Sequence, residues 1–173
     1  MSDEQIDLID DAGNTIGVVK RSQMRGQRLP HRCVYLFVFN RRGELFIHLR
    51  TATKDVFPSH WDLAVGGVLM AGESFDMGAR RELLEELGVA GEPEPLFPFR
   101  YADERTIVQG VVYCVSHDGP FRLQPEEVVR GEFVPVAELE ARLESTPSCP
   151  DGVAAWRDYQ KRQNVNRSEW RPL

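Results

Sequence analysis

Cysteine is scarce in this sequence. Cys33, Cys114 and Cys149 stand far apart and form no CxxC pair. That argues against a disulfide framework or a thiolate zinc site and suits buried thiols in a reducing compartment. No stretch approaches the roughly 18 consecutive apolar residues that a membrane span needs. The opening MSDEQIDLIDD is acidic and lacks the basic-then-apolar order of a secretion signal. The expected location is therefore the cytoplasm, with no membrane partner. Positive charge is not in excess either, with 21 Lys and Arg against 27 Asp and Glu and a formal net charge of −6. No global field draws such a chain to nucleic acid, so an anionic small molecule would have to be held by local cations or by a metal. Repeats and low-complexity tracts are also lacking.

What remains is the balance of an ordinary globular protein. Of 173 residues, 42% are apolar and 28% charged, which predicts one domain over residues 1–173 with room for a proper core. Residues 5–20 read as a hairpin around a DAGN turn. RCVYLFVF (32–39) and LFIHLR (45–50) read as strands joined at NRRGE. DLAVGGVLM reads as two short extended pieces broken at the Gly pair. A helix is expected from about 74 to 87, with Ser74 as N-cap, Asp76 at the positive end of its dipole and Gly88 ending it. GEPEPLFPF reads as a Pro-broken connector, 106–117 and 130–136 as strands, 136–143 as a short helix and 152–163 as a closing helix. The tail from 164 reads as irregular, with Trp170 pinning it down. Strands in the centre and helices at the flanks predict an α/β sandwich around a mixed sheet.

The helix carries Glu82, Glu85 and Glu86 within five positions. At about 100° per residue, Phe75, Ala79, Leu83 and Leu87 form one apolar arc. Glu86 projects into that arc, with Glu82 beside its edge and Glu85 slightly further round. A carboxylate in an apolar stripe is costly unless partnered. On the same wheel Arg80 and Arg81 point away from Glu85 and Glu86 and screen them poorly. A hard divalent cation such as Mg²⁺ or Mn²⁺ would remove the repulsion, and a solvated acidic face is the bland alternative. Upstream, Gly66 and Gly67 permit either close approach to a ligand or simply a tight turn.

Gly67, five residues, Glu73, seven residues, then Arg81-Glu82-Leu83-Leu84-Glu85-Glu86-Leu87-Gly88-Val89 resemble the Nudix box, here residues 67–89, at every fixed position. The resemblance implies an α/β/α sandwich in which Glu82, Glu85 and Glu86 ligate Mg²⁺ or Mn²⁺, with the Gly67 carbonyl as a further ligand. It implies that Glu73 and Arg81 pair to hold the loop. It also implies hydrolysis of a nucleoside or other organic diphosphate linked to a moiety X. A carboxylate must then take the proton of the attacking water. Glu85 and Glu86 in the box and Glu127 in the later loop QPEEVVRGE are the candidates.

The stretch from Leu29 to Gly67 is similar to the corresponding part of isopentenyl diphosphate isomerases, which share the fold. That likeness places Arg50 and Lys54 on the substrate's diphosphate, a sensible clamp chemically, and His31 at a metal position. For each, surface charge or a strand-start residue is the alternative. Gly66 stands where the isomerase has its catalytic Cys, and the box here is intact where the isomerase's is degenerate. The expectation is thus a hydrolase on an isomerase-like branch. The isomerase itself and a non-catalytic nucleotide-binding regulator are the rivals, and a homodimer is left open. No signal specific for coenzyme A, ADP-ribose or diadenosine polyphosphates is found.

Overall fold

A computed structural model describes residues 3–169. The chain opens with the antiparallel hairpin β1 (Gln5–Ile9) and β2 (Thr15–Lys20). It continues through α1 (Arg21–Gly26), β3 (His31–Phe39), β4 (Leu45–Arg50) and β5 (Trp61–Asp62). After α2 (Phe75–Leu87) come β6 (Glu94–Ala102), β7 (Ile107–Ser116) and β8 (Val128–Val134). A 3₁₀ turn at Val136–Glu138, α3 (Leu139–Ser145) and α4 (Pro150–Glu169) complete the described chain. Among the described residues, no helix is long and apolar enough to cross a membrane.

The six-stranded sheet runs β5-β4-β3-β7-β6, with β8 on β4. β3 and β7 pair in parallel and the other ladders are antiparallel, so the sheet is mixed. Its two faces are covered separately. On one face, Val34, Leu36 and Val38 pack against Ala79, Leu83 and Leu87 of α2. On the other, Tyr35, Phe37 and Ile47 pack with Ile6 of the hairpin, Met24 of α1 and Ala155 and Trp156 of α4. Alternation along β3 sends odd and even residues to opposite cores, which is why the whole strand is apolar. This is the α/β sandwich with an N-terminal hairpin that the pattern predicts.

β3 and β4 share only the Phe39–Leu45 pair before they diverge. The segment after β5 fills the wedge between them. Val65 exchanges backbone bonds with Leu36, and the Gly67 carbonyl accepts from Val34 N–H at 3.0 Å. This threading holds the Gly pair at the mouth of the wedge.

Two expectations are corrected. GEPEPLFPF is not a connector: Glu94–Ala102 is a strand paired along its length with β7. Pro95 and Pro98 lack an N–H, which argues against a central strand, but β6 is at the edge of the sheet. A proline is tolerated there when its nitrogen faces the open side. The tail is not irregular from 164 either, because α4 runs to Glu169, and no Gly or Pro interrupts NVNRSE. Trp170 lies outside the described residues. One element had no forecast, the six-residue α1, too short to show a helical period. Its Met24 is fully buried and anchors it.

Candidate active site

α2 is bounded as its sequence dictates. The Ser74 hydroxyl accepts from Met77 N–H at 3.3 Å, and Gly88 caps the other end with φ of 68°. The apolar arc seats it on β3, and this fixes where its glutamates go. Glu86 is 2% exposed and Glu82 8%. Glu85 is turned outward, with 47% of its side chain exposed.

Arg81 decides that arrangement. Its Nε and Nη2 donate to the two Glu73 oxygens at 2.8 and 2.9 Å. Nη2 also donates to the Val68 carbonyl at 3.2 Å, and Nη1 donates to Glu82 at 2.7 Å and Glu85 at 3.0 Å. All five guanidinium N–H groups are thereby used. The expectation that Arg81 points away from the acidic cluster is wrong. A helical wheel gives the direction in which Cβ leaves the helix, whereas this long side chain curls back along the helix surface to reach neighbours one and four positions on. Arg80 does turn away, donating to Glu92 at 2.7 Å.

Glu86 receives no such help. Its Oε2 is buried without a hydrogen-bond partner, and His48 Nε2 on β4, 4.0 Å away, offers no charge because burial lowers that imidazole to about 4. Burial, reinforced by the charge of Glu82, pushes the Glu86 carboxyl up to about 8. Burial likewise raises Glu82. A Cβ at Gly67 would sit 2.6 Å from Glu82 Oε1, so only glycine lets that carboxylate lie against the loop. An orphaned buried carboxylate oxygen, a second carboxylate beside it and an all-oxygen donor set fit Mg²⁺ or Mn²⁺. Among the described residues no three acidic, His or Cys side chains converge on one point. Arg81 Nη1 stands between Glu82 and Glu85 and donates to both.

Gly67, against which Glu82 lies, also lines a cavity of about 60 Å³ together with Gly66, Arg21, Arg25, Arg50 and Lys54. Arg50 is buried, not a surface charge. Its Nη1 donates to Asp62 at 3.4 Å and its Nη2 to the Val56 carbonyl at 3.1 Å. Lys54 Nζ is paired with Glu127, and burial lowers its pKa. The structure thus brings together Gly67, Glu82, Glu86, Arg50 and Lys54, with Glu127 on Lys54. His31 is placed differently. Its Nδ1 donates to the Leu29 carbonyl at 2.8 Å and its Nε2 faces Arg25 Nη1 at 3.5 Å. Burial and Arg25 push its pKa down to about 4, so the ring is neutral and its free lone pair meets a guanidinium, not a carboxylate.

Arg21, Arg25, His48, Asp62 and Asp151 were missed. Three of these had a readable signal: His48 shares a strand face with Arg50 two residues on, and Arg21 and Arg25 have the i, i+4 spacing of one helix face. Asp62 and Asp151 reach the cavity only through the tertiary fold.

Gly66 is held at φ +149°, and a Cβ there would lie 2.1 Å from the Val34 carbonyl oxygen. A Gly66→Cys protein should therefore lose roughly 2–3 kcal/mol from backbone strain alone. It should also gain no isomerase activity, since its thiol cannot be seated without moving β3. A urea midpoint equal to wild type would show that the loop yields freely.

Comparison with known proteins follows the same lines. A sequence model of the NUDIX domain matches residues 29–156, so Arg21 and Arg25 lie ahead of the matched segment. An uncharacterized Nudix hydrolase of Streptomyces coelicolor is 42% identical over 158 residues, spanning 90% of this chain and 87% of that protein. The uncharacterized Nudix hydrolase YfcD of Escherichia coli K12 is 39% identical over 158 residues, spanning 90% and 87%. The crystal structure of DR0079 from Deinococcus radiodurans superposes with a TM-score of 0.79 at 28% identity, over 90% of this chain and 98% of that one. Box, fold and relatives agree, and the chain belongs to the Nudix hydrolase family.

Proposed function

We propose that this chain is a Mg²⁺- or Mn²⁺-dependent pyrophosphohydrolase. It cleaves the diphosphate linkage of a nucleoside diphosphate linked to X, or of a related organic pyrophosphate, in the cytoplasm. The observation that carries this is the buried, unpartnered Glu86 oxygen within electrostatic reach of Lys54 and Arg50, two of the cations that line the cavity with Arg21 and Arg25. The free thiols of Cys33, Cys114 and Cys149 suit a reducing compartment.

When bound, the cation supplies neutralisation of the diphosphate oxygens and an activated water. Glu82, Glu85 and Glu86 would hold it, with the Gly67 carbonyl as a further donor. The four basic side chains bind and orient the diphosphate. Lys54 exchanges its pairing with Glu127 for a substrate phosphate. Glu127, about one third exposed, is then free to take the proton of the attacking water. The isomerase-like stretch contributes the phosphate grip through Arg50 and Lys54, without the thiol that isomerisation needs.

The test is a panel of nucleotide-sugars, dinucleotides, deoxynucleoside triphosphates and prenyl diphosphates, each with Mg²⁺ and Mn²⁺, with products identified. Cleavage at a diphosphate bond is expected, and failure on every member with both metals would refute the reading. Lys54→Gln should then raise KM by roughly ten- to a hundredfold on the best substrate. That is the size of a charged contact of about 1.5–3 kcal/mol made in the ground state. An unchanged KM would leave Lys54 as a structural partner of Glu127 only.

A further inference from the structure

The cavity is not basic all round. Tyr35, Asp62 and Asp151 also belong to its lining. α4 starts at Pro150, and its next residue, Asp151, faces β3 and accepts a hydrogen bond on Oδ2 from the Tyr35 hydroxyl at 3.0 Å. The second oxygen, Oδ1, is buried without a hydrogen-bond partner. The Gly152 amide is close enough to favour the charged carboxylate but does not complete a bond. Asp62 is already committed, with Oδ2 on Arg50 and Oδ1 accepting from Ala64 N–H at 3.2 Å.

A buried carboxylate oxygen without a partner costs free energy, and here Tyr35 satisfies only half of the group. Burial and the charge of Asp62 raise the Asp151 carboxyl to about 6, which agrees with a shielded acceptor. An orphan at the wall of a ligand cavity differs from one in the core, because a ligand can complete it. A hydrocarbon could not, and would leave the oxygen desolvated. An anion would be repelled by two neighbouring aspartates, and a cation by Arg50, which is bonded to Asp62 and whose charge already acts on Asp151. A neutral hydroxyl can donate to Oδ1 while its own oxygen accepts from neighbouring N–H or water.

We propose that Asp151 Oδ1 receives a hydroxyl group of the substrate's organic moiety, so that the site selects hydroxylated diphosphate esters over hydrocarbon ones. Asp151 is then a specificity-determining residue, held in place by Tyr35. The inference deepens the hydrolase reading and rests on it for the diphosphate half of the substrate.

The experiment compares 2,3-dihydroxypropyl diphosphate with propyl diphosphate, a pair matched in length and charge, for wild type, Asp151→Ala and Asp151→Asn with Mg²⁺. Wild type should favour the diol by at least about tenfold in kcat/KM, because a site built around a hydroxyl discriminates strongly against its absence. That ratio should collapse to within about twofold in Asp151→Ala. It should largely persist in Asp151→Asn, which keeps an acceptor oxygen. Because both substrates are read on the same protein, a general loss of folding cancels from the ratio. A wild-type ratio near one, or a ratio unchanged in Asp151→Ala, overturns the proposal. If neither ester is cleaved, the methylene-bridged analogues are compared by calorimetric Kd. A diol preference that depends on Asp151 would then uphold hydroxyl recognition while refuting hydrolysis of these esters, and equal Kd values would overturn it.

Discussion

Glu86→Gln should lower turnover by roughly a hundred- to a thousandfold while leaving a folded, more stable metal-free protein. The amide keeps the shape of a side chain that is 2% exposed and removes the negative charge that would hold the cation. Metal-ion catalysis supplies several kcal/mol, and each 1.36 kcal/mol is tenfold in rate. Stability should move the other way. The folded-state carboxyl is raised to about 8, above its unfolded value near 4.5, so the folded state binds the proton more tightly. The contribution of Glu86 to the stability of the metal-free wild type should therefore be fully present below about pH 4.5 and be lost as pH rises towards 8. Glu86→Gln should flatten this slope. Mg²⁺ should raise the melting temperature of the wild type and do so much less in the variant. A variant with near wild-type turnover and an equal Mg²⁺ shift would remove Glu86 from the metal set.

Arg81→Lys should be the most damaging conservative change in the box. Lysine keeps the charge but has three donors on one atom, and cannot bridge both Glu73 oxygens, Val68, Glu82 and Glu85 together. Breaking a half-buried network of this kind should cost about 2–4 kcal/mol, or roughly 4–16 °C in melting temperature for a chain of this size. The loop from Val68 to Glu73 loses its tie to α2, and Glu82 and Glu85 lose their screen. Mg²⁺ should restore part of the loss by taking over that screening. A variant that melts with the wild type would show that the loop is held by Ser74, Leu69 and backbone contacts alone.

The box helix was legible because every local signal agreed there: the Ser74 cap, the apolar arc, Gly88. The same agreement of pattern and turn chemistry made the hairpin and the strands at 45–50 and 107–116 readable. β6 was not, because proline's meaning in a strand depends on which strands lie beside it, and that is tertiary information. The site divides the same way. The burial of Glu82 and Glu86 could be read from helical spacing, whereas Arg50 and Lys54 were singled out only by likeness to a known enzyme. The reach of Arg81 could not, because it depends on side-chain length and partners, not on the angle at Cβ. Asp62 and Asp151 are far apart in sequence and meet only when α4 docks.

The prolines of β6 also bear on how copies of this protein can meet. An exposed sheet edge is a template for a further strand, and a second copy offers an identical one. Neither Pro95 nor Pro98 has an N–H to offer such a strand, within a β6 of nine residues. Growth of the sheet across this border into a continuous two-copy sheet, or onward into a fibril, is thereby obstructed by the covalent structure of the edge itself.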